Sequence, residues 1–303
     1  MKFTVEKSIE VTAKHEVVIE NIKNLTNWSQ WSPWLCLDNQ TMTSVEGNSL
    51  TWSSKLIGKG AIHFVSESTD KLQFNLVFFS PFKSKAKVTF TIVTQGNQQR
   101  VTWHMIGNLP LIMLFHKKFM SIMIGLDYQR GLIRLKNLSE LGYIPAKLEF
   151  EDTPFNVDSF KCMGLAAKGS FADVATHMKQ TFTKLYNTVE QEKLQISKVY
   201  CFCEKVMFVK DIIQYSAAVE VEDIAATTST LAKSTIPAHK AIKVTLSGDY
   251  KFLADAWSGL HVHTRGLKLP INKQIPPYEV YVQGPHNCEN PEDYITEIYM
   301  PVL

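Results

Sequence analysis

Two short segments near the C-terminus constrain this chain most: PPYEVYVQG at 276–284 and YITEIYMP at 294–301. A polar connection with Pro and Gly separates them, so they read as two strands joined by a loop. Alternate side chains of a strand share a face. Glu279 and Tyr281 therefore point one way, and Tyr278, Val280 and Val282 the other. The second strand repeats the device, with Glu297 and Tyr299 on one face and Ile298 and Met300 on the other. A carboxylate buried without a partner is costly. Water, an internal cation or a ligand has to make such an acid worth keeping.

The PPYEVY segment followed by TEIYMPV resembles the end of the GyrI-like effector-binding domain, which is also the ligand-sensing half of AraC-type and MerR-type multidrug regulators. The resemblance covers about 150 residues to the C-terminus. Its signature glutamate matches Glu279, which the resemblance places on a pocket floor among aromatics, where it meets cationic ligands. The segments upstream agree with this. VDSFKCMGLAAKG reads as a strand. FADVATHMKQTFTKLYNTVEQ reads as an amphipathic helix, with Val174, Met178, Phe182 and Leu185 in register. KVYCFCE and IIQYSAAVEVE read as two more strands. After a polar stretch at 222–235 the order returns, with strand HKAIKVTLSG, helix DYKFLADAWSGLHVHTRG and the two terminal strands. Two strand-helix-strand-strand units are the fold the resemblance implies, with the pocket in the cleft between them. Tyr281 shares the face of Glu279, Trp257 lies on the second helix, and Tyr215 on the fourth strand forms an opposite wall. An acid among aromatic rings favours an organic cation through Coulomb and cation–π attraction.

The first half has a different pattern. FTVEKSIEV alternates as a strand, and AKHEVVIENIKNL follows as a short helix with Val17, Val18, Ile22 and Leu25 at helical spacing. Trp28, Trp31 and Trp34 come next at intervals of three. Six strands then succeed one another across short turns, an antiparallel meander. A long helix from about His116 to Leu141 closes the segment, with Gly142 as its cap. Its apolar positions Phe119, Ile122, Met123, Leu126, Leu132, Ile133, Leu135 and Leu138 fit one broad face. The NWSQWSPW run, GKGAI and GLDYQRGLIRLKNLSE, in this order, resemble the SRPBCC or START-like superfamily of polyketide cyclase-like proteins. That resemblance implies a helix-grip fold over residues 1–145, with a curved sheet wrapped around the long helix and an apolar cavity between them. Trp52, Phe64, Phe74, Phe78, Trp103, Met120 and Met123 are its candidate lining, although aromatic and Met stripes more often pack as core. His63, His104 and Asp127 share no catalytic or metal spacing, so no active site is read here.

The expected organisation is thus α+β in two domains, a START-like domain at 1–145 and a GyrI-like domain at 146–303, divided in a Pro-containing linker. The 303 residues carry a net charge of +3. Residues 1–150 hold 17 Lys/Arg against 11 Asp/Glu, and residues 151–303 hold 15 against 18. Lys83, Lys85 and Lys87 alternate on one strand face, with Lys117 and Lys118 later; an anion or membrane patch is one reading, and a solvated outer face is the default. The apolar run LPLIMLF at 109–115 is too short to span a bilayer and reads as packing. Cys36, Cys162, Cys201, Cys203 and Cys288 read as reduced thiols of a cytoplasmic protein. No cofactor is expected; no metal, because no Cys/His set has ligand spacing; no membrane span, because no apolar run of about 20 residues exists; and no direct nucleic-acid partner, because no helix-turn-helix pattern is seen. A protein partner stays unnamed. The function that follows is non-enzymatic binding of small hydrophobic or cationic organic molecules, in the GyrI-like pocket and in the START-like cavity. The alternative is a hydrolase of a small reactive organic compound, with Glu279 activating water and Tyr281 as donor.

Overall fold

The computed structural model describes residues 2–38, 40–80, 83–108, 116–221 and 229–303. Two compact units divide the chain, Met1–Pro145 and Ala146–Leu303. The run at 109–115 and residues 222–228 of the polar stretch lie outside the described residues.

In the first unit, β1 (Lys2–Val11) leads through the short helices α1 (His15–Lys23) and α2 (Trp28–Trp31) to the meander. Its strands are β2 (Met42–Glu46), β3 (Ser49–Ser54), β4 (Gly58–Ser68), β5 (Lys71–Ser80), β6 (Ser84–Gln95) and β7 (Gln98–Asn108). The sheet order is β1-β7-β6-β5-β4-β3-β2, with every pair antiparallel. The first strand thus closes on the last, Lys2 opposite Asn108 and Val11 opposite Gln99. Period-two alternation sets the faces. Phe74, Val88, Phe90 and Trp103 are buried, while Lys85, Lys87 and Gln73 point outward and are exposed.

Helix α3 (Lys117–Leu141) stops at Gly142, whose φ of 81° is left-handed and whose N–H returns to the Leu138 carbonyl at 3.0 Å. The broad apolar face expected for this helix is only half realised. Tyr128, Leu132, Leu135 and Leu138 are buried, but Phe119 is 40% exposed and Ile122, Met123 and Leu126 are half-buried. The first turns run along the edge strand β1, where Gly125 sits against Val5 and Lys7. Less of the core is available to them there.

In the second unit, β8 (Ala146–Phe150) and β9 (Phe155–Val157) come first, then β10 (Phe160–Gly169), α4 (Val174–Gln191), β11 (Ile196–Met207), β12 (Ile212–Val221) and β13 (Ala232–Ile236). The second round is β14 (His239–Gly248), α5 (Leu253–Gly266), β15 (Tyr278–Gln283) and β16 (Ile295–Val302). The sheet runs β13-β10-β12-β11-β15-β16-β14-β8, and β9 also pairs with β14. Strand order within the repeats is β10-β12-β11 and, mirrored, β15-β16-β14. The halves join where β11 meets β15 over Tyr200–Phe202 and Tyr278–Val280.

Three segments differ from the sequence reading. The linker is partly sheet: Ala146–Phe150 pairs with β14, Leu148 opposite Leu246 and Phe150 opposite Val244. Its alternation of Ala146, Leu148 and Phe150 with Lys147 and Glu149 outweighs the flanking prolines. The strand read from 157 to 169 breaks at Asp158–Ser159, so that β9 pairs with β14 while β10 pairs with β12 and β13. Part of the polar stretch is the edge strand β13, four of whose five residues are exposed. A solvated edge strand needs no apolar alternation and leaves no such mark in a sequence.

Gly131 of α3 shows a packing constraint that helix propensity hides. A Cβ there would stand 2.8 Å from Pro33 Cδ and 2.9 Å from the Trp103 ring. Propensity alone favours Gly131→Ala by about 1 kcal/mol, while overpacking costs about 1–3 kcal/mol. Urea denaturation is expected to show net destabilisation. A rise in stability would mean that the Trp103 contact does not hold the helix against the sheet.

Candidate functional site

The floor of the site lies at the seam between the two repeats. Cys201 of β11 stands directly opposite Glu279 of β15. Glu279 is only 6% exposed. Its Oε1 accepts from Trp257 Nε1 at 2.6 Å, and its Oε2 accepts a short hydrogen bond from the Tyr281 hydroxyl. Among the described residues, no Lys or Arg forms an ion pair with it. Burial raises its pKa above the ordinary carboxylate value, and the bonds from Tyr281 and Trp257 pull it partway back.

Aromatic rings converge on this acid from separate elements. Phe182 of α4 meets Tyr281 edge-on, with ring centres 5.4 Å apart. Tyr250, in the turn before α5, lies 5.5 Å from Tyr281 and 4.9 Å from Tyr294. Tyr186, one helical turn after Phe182, stacks on His286 at 6.2 Å. Burial pushes the Tyr186 phenol up to about 12 and raises those of Tyr250 and Tyr281 as well. Each therefore stays a neutral donor at physiological pH. The Cys201 thiol is likewise held neutral, by burial first and then by Glu279 beside it, which makes it a poor nucleophile. Among the described residues, no group of three His, Cys, Asp or Glu side chains could hold a metal ion.

Residues 156–303 match the GyrI-like small molecule binding domain. No curated protein matches the chain. Solved structures give remote likenesses. The EcmrR–DNA complex is 15% identical, covers 63% of this chain and 69% of its own, and has a TM-score of 0.44. SAV2435 bound to tetraphenylphosphonium is 19% identical, with 51% and 94% covered and a TM-score of 0.40. The Aha1 dimer from Colwellia psychrerythraea is 14% identical, with 46% and 98% covered and a TM-score of 0.35.

In the GyrI-like domain, three of the four residues singled out from sequence come together: Glu279, Tyr281 and Trp257. Tyr215 shares their face of the sheet but stands two strands away. Its hydroxyl is engaged by Thr181 at 2.9 Å and His177 at 3.1 Å, which ties α4 to the sheet. Phe182, Tyr186, Tyr250 and Cys201 were not singled out. The spacing of Phe182 and Tyr186, four apart on one helix face, was the available signal for the first two. Glu297 has a different role, accepting from Lys243 Nζ and from Tyr299, each at 2.6 Å.

The candidate cavity residues of the first unit occupy its core. Trp103 stacks on Tyr128 at 3.8 Å, Phe74 packs on Trp28 at 5.5 Å, and Trp52 meets Phe78 at 5.6 Å. Phe64 packs on Phe74, also at 5.5 Å, and Met120 and Met123 are half-buried on the early turns of α3. Trp28, Trp31 and Trp34 fill much of the space where the resemblance implied a cavity. A pocket lined by Trp28, Trp34, Leu50, Trp52 and Leu76 has a volume of about 10 Å³, about that of one water.

The raised pKa of Glu279 fixes the sign of its contribution to stability. That contribution is fully present below the unfolded-state pKa and is lost as pH rises through the folded value. Glu279→Gln removes the dependence. The melting temperature of the variant, relative to the unaltered chain, is expected to climb as pH rises from below the ordinary Glu value of about 4.3 through the raised folded value. A difference that shrinks over this range would show that Glu279 is held ionised.

Proposed function

We propose that the GyrI-like domain binds a small hydrophobic organic cation at the seam, with Glu279 as counter-ion and with Phe182, Tyr186, Tyr250, Tyr281 and Trp257 as walls. The observation that carries this reading is a buried carboxylate that has no ion-pair partner among the described residues and is held by an indole and a phenol. Burial leaves the acid in want of a proton or a positive charge. A ligand cation replaces the proton, and the surrounding rings add cation–π attraction. The family's description as a small-molecule binding domain agrees with it.

The reading is one of binding without chemistry. Each carboxylate oxygen accepts one hydrogen bond, from Trp257 and from Tyr281, which holds the carboxylate in place as a counter-ion. The first unit is read as START-like from its strand order and closing helix. Its packed aromatic interior is assigned no ligand. No DNA-binding role is assigned to the chain.

Tetraphenylphosphonium, with neutral triphenylphosphine oxide as its counterpart, tests the proposal by calorimetric titration. The cation is expected to bind, and Glu279→Gln to weaken it at least about tenfold, the scale of one lost charge-assisted contact. Affinity is expected to rise with pH as Glu279 loses its proton. Equal affinity for both compounds, or no effect of Glu279→Gln, would remove the acid from the site. Disappearance of a bound compound with the unaltered chain but not with Glu279→Gln would replace binding with hydrolysis.

A further inference from the structure

The lysines of the first unit gather at one end. Lys2 opens β1, Lys55 and Lys59 flank the start of β4, Lys83, Lys85 and Lys87 lie at the start of β6, and Lys117 and Lys118 open α3. Register aligns them: Lys2 faces Asn108, Lys59 faces Ser80, Lys85 faces Val77 and Lys87 faces Ile106. Helix α3 runs along β1 in the same direction, with Gly125 beside Val5 and Lys136 bonded to the Glu10 carbonyl at 2.7 Å. Its first turn therefore belongs to this end as well.

Little that is acidic offsets the charge: Asp38, bonded to Ser54 Oγ at 2.5 Å, lies at this end but is buried. The sequence contains no Asp or Glu between Asp70 and Asp127. Glu46, Glu67, Asp70 and Glu140 sit at the turns and helix end of the opposite pole. Among the described residues, none of these eight lysines forms an ion pair. Lys83, Lys85 and Lys87 are exposed, as an outer face requires, but ordinary solvated surfaces intersperse the two signs.

Two details indicate what the surface fits. All eight cations are lysines, which are flexible point charges suited to a diffuse field of anions, and none is an arginine with its bidentate fork. Exposed apolar side chains lie among them: Phe79 at 52% and Ile106 at 39%, the latter directly opposite Lys87. Charge with interspersed apolar groups matches a lipid interface, where apolar side chains seat among headgroups. No helix of the described residues is long and apolar enough to cross a membrane.

We infer that the lysine-rich end of the first unit docks on the surface of an anionic phospholipid bilayer. Flotation of the full chain with vesicles tests this. Phosphatidylcholine vesicles with about one-third phosphatidylglycerol are expected to carry the protein, and pure phosphatidylcholine vesicles are not. Salt at about 0.5 M releases it. Joint Lys83→Glu, Lys85→Glu and Lys87→Glu substitution is expected to lower the partition at least about tenfold. Joint Lys14→Glu, Lys71→Glu and Arg100→Glu substitution, an equal charge change at the opposite pole, leaves it within about twofold. The single exchange Lys85→Gln, mild on an exposed strand, gives a severalfold loss that does not depend on how the triple variant folds. No binding to the anionic vesicles, equal binding to both vesicle types, or equal loss in the two triple variants overturns the inference. So does capture of duplex DNA by a chain that ignores vesicles.

Discussion

The second unit depends on one unresolved electrostatic demand. Glu279 is placed where two repeats meet, below two helices, out of reach of water and of any paired lysine or arginine. Its hydrogen bonds reach into both of its surroundings, to Trp257 of α5 and to Tyr281 along the same strand. A hydrophobic side chain at this position would pack with less penalty. The acid is retained against that cost, with aromatic rings of α4 and of the turn before α5 packed about its Tyr281 partner.

The first unit solves an opposite problem. Its interior is mainly aromatic and aliphatic, with a few buried polar side chains such as Arg130 and Asn137, and shape is the constraint. Trp28 and Trp31 lodge their indole N–H groups on the carbonyls of Ile22 and Asn21, at 2.8 and 3.0 Å, while Trp34 donates to Asp127 at 3.0 Å. Asp127 in turn accepts from the buried Arg130 at 2.7 Å. These polar tethers orient three indoles so that Phe74, Phe90 and Trp103 pack around them edge-on or tilted. Large rings fixed in this way leave little room beneath the sheet.

Much of this was legible in the sequence because both sheets are antiparallel, and the first is a turn-connected meander. The alternation through KLQFNLVFF and KVTFTIV already sorted inner from outer side chains, and the same rule placed Glu279 with Tyr281. Trp257 was legible as a residue of the right helix. What sequence could not supply was depth. The alternation that aligns Tyr215 with the site face does not say that its hydroxyl is already engaged beneath α4. Nor does helical spacing foresee that the early turns of α3 run beside an edge strand. The strands β8 and β13 escaped notice because prolines flank the one and polar residues compose the other.

The junction of the two repeats has a mechanical consequence. Strands β11 and β12 pair along most of their length, from Ile196–Val221 to Met207–Ile212, whereas β11 and β15 pair only from Tyr200 to Phe202. A bulge between Tyr281 and Gln283 loosens the next strand as well. Pairing within each repeat is thus longer than pairing across the line between them, although both repeats carry bulges. A change in the spacing of α4 and α5 would be taken up along that line, with the longer ladders on either side kept. Glu279 stands on the line itself, midway between the two repeats.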